Sequence, residues 1–333
     1  MKIYAALAIF ACVLCACTSA QDEYKYKTSD LSIRDPFVFV DRDTNTYYIQ
    51  SNRKPAELRR KGEPLSLCCF ASKDLKNWKY LGESFRAPKG WWGKRDYWAP
   101  DMFKRNGKYY IIATFSCDKN IGKRFDNPGK PLLLRACAAL VSDRPEGPYA
   151  PVSDKPLTPE NMMALDGTLY EEDGRTYLVF CQEWLQVGDG KVMAVEIAPD
   201  LSRTIGEPVE LFRASAAPWA RPLFGKDSGC YITDAPVIKR ADDGTLYMTW
   251  SSRGEVGGKE MYVIGLAYSD NGKLLGKWNQ FSKPLNGDDG GHAMVFTTLC
   301  GKTKISYHAP NSGDERVKIR DFSVGINGAK ISE

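Results

Sequence analysis

Five stretches of this chain repeat one pattern: a short apolar strand, a turn rich in Asp, Asn or Gly, and a second strand of aromatic and β-branched residues. They are RDPFVFVDRDTNTYYIQSN from Arg34, WAPDMFKRNGKYYIIATFS from Trp98, LDGTLYEEDGRTYLVFCQEW from Leu165, TDAPVIKRADDGTLYMTWSS from Thr233 and GHAMVFTTLCGKTKISYHAP from Gly291. Each carries the signature of a β-hairpin. Aligned two residues before the paired apolar positions, the copies begin at Asp35, Ala99, Asp166, Asp234 and His292, spaced 64, 67, 68 and 58 residues apart. Repeats near this length belong to four-stranded propeller blades. Further strand-like runs lie between the hairpins, such as MAVEIAPDLS and YVIGLAYSDNGKLLGKW, and no long helical periodicity interrupts them. The expectation is an all-β chain, a single five-bladed β-propeller over residues 31–333.

Composition agrees with a packed fold: 43% of residues are apolar and 26% charged. The net charge of +5 is spread without long basic blocks, which argues against a nucleic-acid partner. Residues 1–17 read as an export signal too short to span a bilayer. Leu14-Cys15-Ala16-Cys17 resembles the bacterial lipobox, which would make Cys17 the lipidated first residue of the mature chain. Residues 18–30 are then an exposed linker, and the protein a monomer in the periplasm or at the outer membrane or cell surface, touching the membrane through its lipid alone. Seven of the ten cysteines lie beyond Cys17; the odd number leaves at least one unpaired. Cys117, Cys137 and Cys181 fall in apolar runs, so buried thiols are expected instead of a disulfide framework.

Hairpin partners run antiparallel, so the start of each first strand and the end of each second strand emerge on one face. Asp35, Asp166 and Asp234 then converge around one mouth, and Glu183, at the end of a second strand, returns to it. An Asp before Pro or Gly is commonly a turn residue, but three at equivalent places of five repeats point to chemistry. Carboxylates crowded in a partly desolvated site separate into protonated and ionised forms. A glycosidase needs that division: one carboxyl protonates the leaving oxygen while another takes a proton from water.

Arg34-Asp35-Pro36, Trp98-Ala99-Pro100-Asp101, Leu165-Asp166-Gly167 and Asp289-Gly290-Gly291-His292 resemble glycoside hydrolase family 43, across nearly the whole mature chain. The resemblance implies a five-bladed propeller that hydrolyses glycosidic bonds with inversion, mostly in α-L-arabinofuranosides and β-xylosides, in some members galactans. By that similarity the expected function is an α-L-arabinofuranosidase or β-xylosidase acting on plant-type polysaccharide, with Asp35 as general base and Asp166 tuning the acid. The family's acid is usually a Glu in a Glu-Gly-Pro setting, where this chain has Asp234-Ala235-Pro236. Asp is shorter by about 1.5 Å, a shift large enough to matter to catalysis. Asp234 and Glu183 therefore both stand as proton donors, and a sugar-binding propeller without an acid is the alternative. His292 is expected near the axis, orienting the carboxylates or holding a structural calcium through water; no cofactor is required. Sugar contacts are expected from Arg34, Trp91, Trp92, Trp98, Trp184, Trp219, His292 and Arg316, with Arg221 and Arg253 as further donors. Loops 53–64 and 118–131 would shape the substrate site, and loop 86–97 would wall off one end of it.

Overall fold

The computed structural model describes residues 24–325 and 327–332; the signal segment and Cys17 lie outside them. Five antiparallel sheets contain all the strands of the described residues. Blade one runs Val38–Asp41, Thr46–Ser51, Leu67–Ser72 and Asn77–Phe85 from inside to outside. Blade two runs Arg95–Arg105, Lys108–Lys123, Pro131–Ser142 and Ala150–Pro151, and blade three Ala164–Glu172, Arg175–Gln182, Lys191–Ile197 and Thr204–Arg213. Blade four is Asp234–Arg240, Leu246–Val256, Lys259–Ser269 and Trp278–Gln280, and blade five Gly291–Thr297, Thr303–Ala309, Arg316–Gly325 and Gly328–Ser332. The innermost strand of each blade touches that of the next, and blade five returns to blade one. The ring is closed, and the fold is a five-bladed propeller.

The segment expected as a linker is partly structural. Tyr26–Lys27 pairs with Trp78 and Asn77 as a fifth, outermost strand of blade one, and the Trp78 indole donates to Thr28 Oγ1 at 2.9 Å. Six of the seven described cysteines are buried, Cys300 is exposed, and none is disulfide-bonded.

The cores between blades claim several aromatics that the sequence offered as sugar platforms. Trp91 is buried, with Phe85, Phe115 and Trp92 rings 4.9–5.7 Å from its own. Gly93 lets it lie there: a Cβ at that residue would stand 2.5 Å from Trp91 Cζ3. Trp92 packs against the same cluster with its Nε1 buried and unpartnered. Loop 86–97 thus seals the seam between blades one and two, and neither tryptophan reaches the pocket described below. Trp219 is likewise core, its ring tilted against that of Trp250 at 5.0 Å. It lies across Gly265, where a Cβ would fall 2.3 Å from Trp219 Cζ2. Gly265→Ala is therefore expected to cost about 1–3 kcal/mol by overpacking, read as a lowered midpoint of thermal unfolding; an unchanged melt would show that the Trp219 ring moves aside freely.

Candidate active site

Near the start of every innermost strand, at equivalent places, stands a residue in left-handed backbone geometry: Asp35 (φ 54), Ala99 (φ 46), Asp166 (φ 55), Ala235 (φ 51) and His292 (φ 55). In blades two to five the pairing with the second strand slips at this place. Bulges of this kind re-aim a side chain at a strand's rim. The bulge corrects the repeat alignment: blade four's equivalent of Asp35 is Ala235, and Asp234 stands one residue earlier, where other blades carry Arg34, Trp98, Leu165 and Gly291. Asp234 still faces the same pocket.

A bulge leaves a backbone N–H without its ladder partner, and four of the five are satisfied by the preceding blade. The Asp166 amide donates to Thr114 Oγ1 (2.9 Å), that of His292 to Ser251 Oγ (2.9 Å) and that of Asp35 to His308 Nδ1 (3.2 Å). Thr114, Ser251 and His308 are the second-strand residues paired with the position before their own blade's bulge. Blade three has Cys181 at that register. A thiol is a weak acceptor, and the Ala235 amide instead donates to Asp166 Oδ2 at 3.1 Å. The carboxylate of blade three is thereby tied to the backbone beside Asp234.

His292 joins the acids at the axis. Its Nδ1 lies 3.1 Å from Asp35 Oδ1 and 3.7 Å from Asp166 Oδ2, and the three side chains are 12%, 16% and 6% exposed. Asp234 Oδ2 accepts from the Tyr262 hydroxyl at 2.8 Å. Asp101 is buried in the same group, close enough to sense the charges of His292, Asp166 and Asp35.

These neighbours drive the proton affinities apart. Burial would raise Asp35, but the charge and hydrogen bond of His292, with His308 and Arg34, outweigh it and hold the carboxyl well below the usual range. Burial pushes Asp166 up; His292 opposes, and the charges of Asp234 and Asp35 add. Asp234 is also raised by burial, with Tyr262 and His292 pulling the other way. Burial lowers His292, yet the two aspartates carry it to about 10, so it is a cation at neutral pH. Burial brings His308 down to about 4; it is neutral, with Nδ1 free to accept the Asp35 amide.

A pocket of about 350 Å³ opens over this group, lined by Asp35, Asp166, Asp234, Glu183 and His292 together with Arg34, Trp98 and Trp184. All four candidate carboxylates thus share one cavity. Glu183 is ion-paired with Arg135, whose guanidinium lies 4.3 Å over the Trp98 ring and also meets Asp96. Arg34 is held by Asn311 and Glu315. Asn52, Arg53 and Tyr262 also line the pocket; they sit at strand ends with no pattern to mark them. Arg316 does not reach it and pairs with Asp314 on the outer face. Arg221 and Arg253 are bound to Glu255 and Glu260 outside the lining.

The donor set does not fit a directly held calcium. Among the described residues no group of three His, Cys, Asp or Glu side chains could hold a metal, and His292 spends Nδ1 on two aspartates. Calcium takes six to eight oxygen ligands, so no step below passes through one.

A closed five-bladed ring with a pocket lined by carboxyls of unequal proton affinity can cleave a glycosidic bond by acid–base chemistry. The chain belongs to glycosyl hydrolases family 43, whose model matches residues 24–322, and it is an inverting glycoside hydrolase. It is similar to the crystal structure of an endo-arabinase from Bacteroides thetaiotaomicron VPI-5482, at 41% identity and a TM-score of 0.80, over 91% of this chain and 98% of that one. An endo-1,4-beta-xylanase from the same organism shares the fold at 24% identity and TM-score 0.68, over 92% and 96% of the two chains. An alpha-L-arabinofuranosidase from Lactobacillus brevis does so at 18% identity and TM-score 0.68, over 94% and 96%. A search of curated proteins found no match.

Proposed function

We propose that this enzyme hydrolyses α-L-arabinofuranosyl linkages of plant-type polysaccharide, with Asp35 as general base, Asp234 as general acid and Asp166 as the group that sets the acid's proton affinity. One observation carries the assignment of roles: Asp35 is held ionised while Asp234 and Asp166 hold protons more tightly than ordinary carboxyls, across one pocket. The choice of sugar is supported by likeness to an endo-arabinase at 41% identity.

In the reaction Asp234 delivers its proton to the glycosidic oxygen as the bond to the anomeric carbon breaks. Asp35 takes a proton from a water attacking that carbon from the opposite side, and the product inverts. His292 keeps Asp35 ionised and, with the His308 contact to its amide, fixes its direction. Asp166 holds the strand of the acid through Ala235, and the two carboxyls, buried in one pocket, cannot both ionise cheaply. Burial raises Glu183 as well, with Arg135 pulling the other way; the proton is given to Asp234 because a protonated Glu183 would lose its ion pair with Arg135, whereas Asp234 is held by the neutral Tyr262 hydroxyl. The methylene missing from Asp234 relative to Glu is tolerated on this reading because Tyr262 holds its carboxyl at the pocket wall.

The test is hydrolysis of 4-nitrophenyl α-L-arabinofuranoside, β-D-xyloside and β-D-galactoside, and of arabinan and xylan. Release of arabinose from the first and from arabinan is expected. Preference for the xyloside would overturn the choice of sugar, and inactivity on all of them with retained sugar binding would make this a binding propeller.

A further inference from the structure

The largest exposed apolar side chain of the described residues stands at the edge of the active site. Phe224 is 74% exposed, and its ring lies 5.8 Å from that of Trp184 at 60°. Trp184 lines the catalytic pocket, so the two rings continue the pocket wall outward. Phe224 also adopts φ 60, a conformation a bulky side chain avoids and one that costs of order 1–3 kcal/mol. The surrounding turn holds it there. Leu223 N donates to Cys230 O at 2.7 Å, and the Ser228 hydroxyl donates to Leu223 O.

A third ring supports the same ledge from blade two. Phe125 is 49% exposed; its amide donates to Leu185 O at 2.8 Å. The tip of its ring lies over Gly188, where a Cβ would meet it at 2.6 Å, and 4.0 Å from a Cβ built at Gly229 in the Phe224 turn. Three separate segments, from the blade-two loop, the Trp184–Val187 helix and the connection into blade four, therefore bring aromatic side chains together, with Trp184 and Phe224 meeting edge to face. Burying none of them in the protein leaves the strain at Phe224 without a folding return.

We propose that Trp184 and Phe224, backed by Phe125, form an outer subsite that stacks on a sugar ring of the same polysaccharide chain, next beyond the ring held in the pocket. Sugar faces carry C–H groups that pack on aromatic rings, and the continuity of the ledge with the pocket through Trp184 fixes the occupant as the neighbouring residue of the substrate. The ledge favours chains over single glycosides. This rests on the hydrolase reading above and deepens it.

Phe224→Ala is compared with Phe224→Tyr on arabinan oligosaccharides of increasing length and on 4-nitrophenyl α-L-arabinofuranoside. The expected result is an about tenfold rise in KM on the longer oligosaccharides, with kcat kept, aryl-glycoside kinetics within twofold and recovery in the Tyr variant. Equal loss on both substrates, or unchanged length dependence, overturns the subsite. A wild type inert on every arabinoside instead fails the proposed reaction. The ledge is then read by isothermal titration of arabinan- and xylan-derived oligosaccharides, where Phe224→Ala must weaken binding more as the oligosaccharide lengthens.

Discussion

Asp35→Asn is expected to lower kcat by roughly 10²–10⁴-fold, the usual worth of a positioned general base, while sugar binding persists. The loss should be the same for substrates with good and poor leaving groups, because the missing function is activation of water. The substitution is close to isosteric and leaves the amide of residue 35 free to donate to His308, so the bulge should survive. It also removes the charge that most strongly raises His292; part of the loss will reflect a ring that carries less charge. Steady-state kinetics beside isothermal titration of an arabinan oligosaccharide separates the two quantities. Loss of binding equal to the loss of rate would show Asp35 to be a binding residue only.

The proton donor is distinguished by leaving group. Asp234→Asn should lose a comparable factor on arabinan, whose leaving alkoxide needs a proton, and keep most of its activity on 2,4-dinitrophenyl arabinofuranoside, whose leaving group does not. Glu183→Gln should lose less on both substrates, mainly through KM, since Arg135 then loses its ion pair in the pocket and keeps only Asp96. The opposite pattern, with the dinitrophenyl substrate rescuing Glu183→Gln alone, would move the proton to Glu183 and leave Asp234 as a structural partner of Tyr262.

The architecture was legible because the hairpin repeats and period-two patterning decide which face of each strand is buried. The convergence of Asp35, Asp166 and His292 followed from their repeat register. The alignment of Asp234 was off by one, although a signal existed: the bulge residue directly precedes Pro36, Pro100, Gly167 and Pro236, which marks Ala235. The Trp91-Trp92 pair between Gly90 and Gly93 read as an exposed platform, but Gly93 is there to make room for a ring, which composition alone does not distinguish. Trp219 failed for the same reason at Gly265. Tyr262, Asn52 and Phe224 left no trace, since a third strand or a loop reaches the pocket only through the closed ring. Loop 53–64 reaches the pocket lining through Arg53; Phe125 of loop 118–131 stands outside the lining, over Gly188, and loop 86–97 contributes no lining residue.

The central claim is that one aspartate is ionised and another protonated across a single pocket, and the pH dependence of kcat/KM on an arabinan oligosaccharide tests it most directly. Asp35 must be ionised and sits well below its ordinary value of 3.8, so the acid limb should fall only under that pH. Asp234 must be protonated and sits above 3.8, so the alkaline limb should lie above it. The Tyr262 hydrogen bond favours ionised Asp234; Tyr262→Phe should therefore shift the alkaline limb to higher pH and leave the acid limb in place. An alkaline limb that ignores Tyr262→Phe and moves with Glu183→Gln would contradict the account.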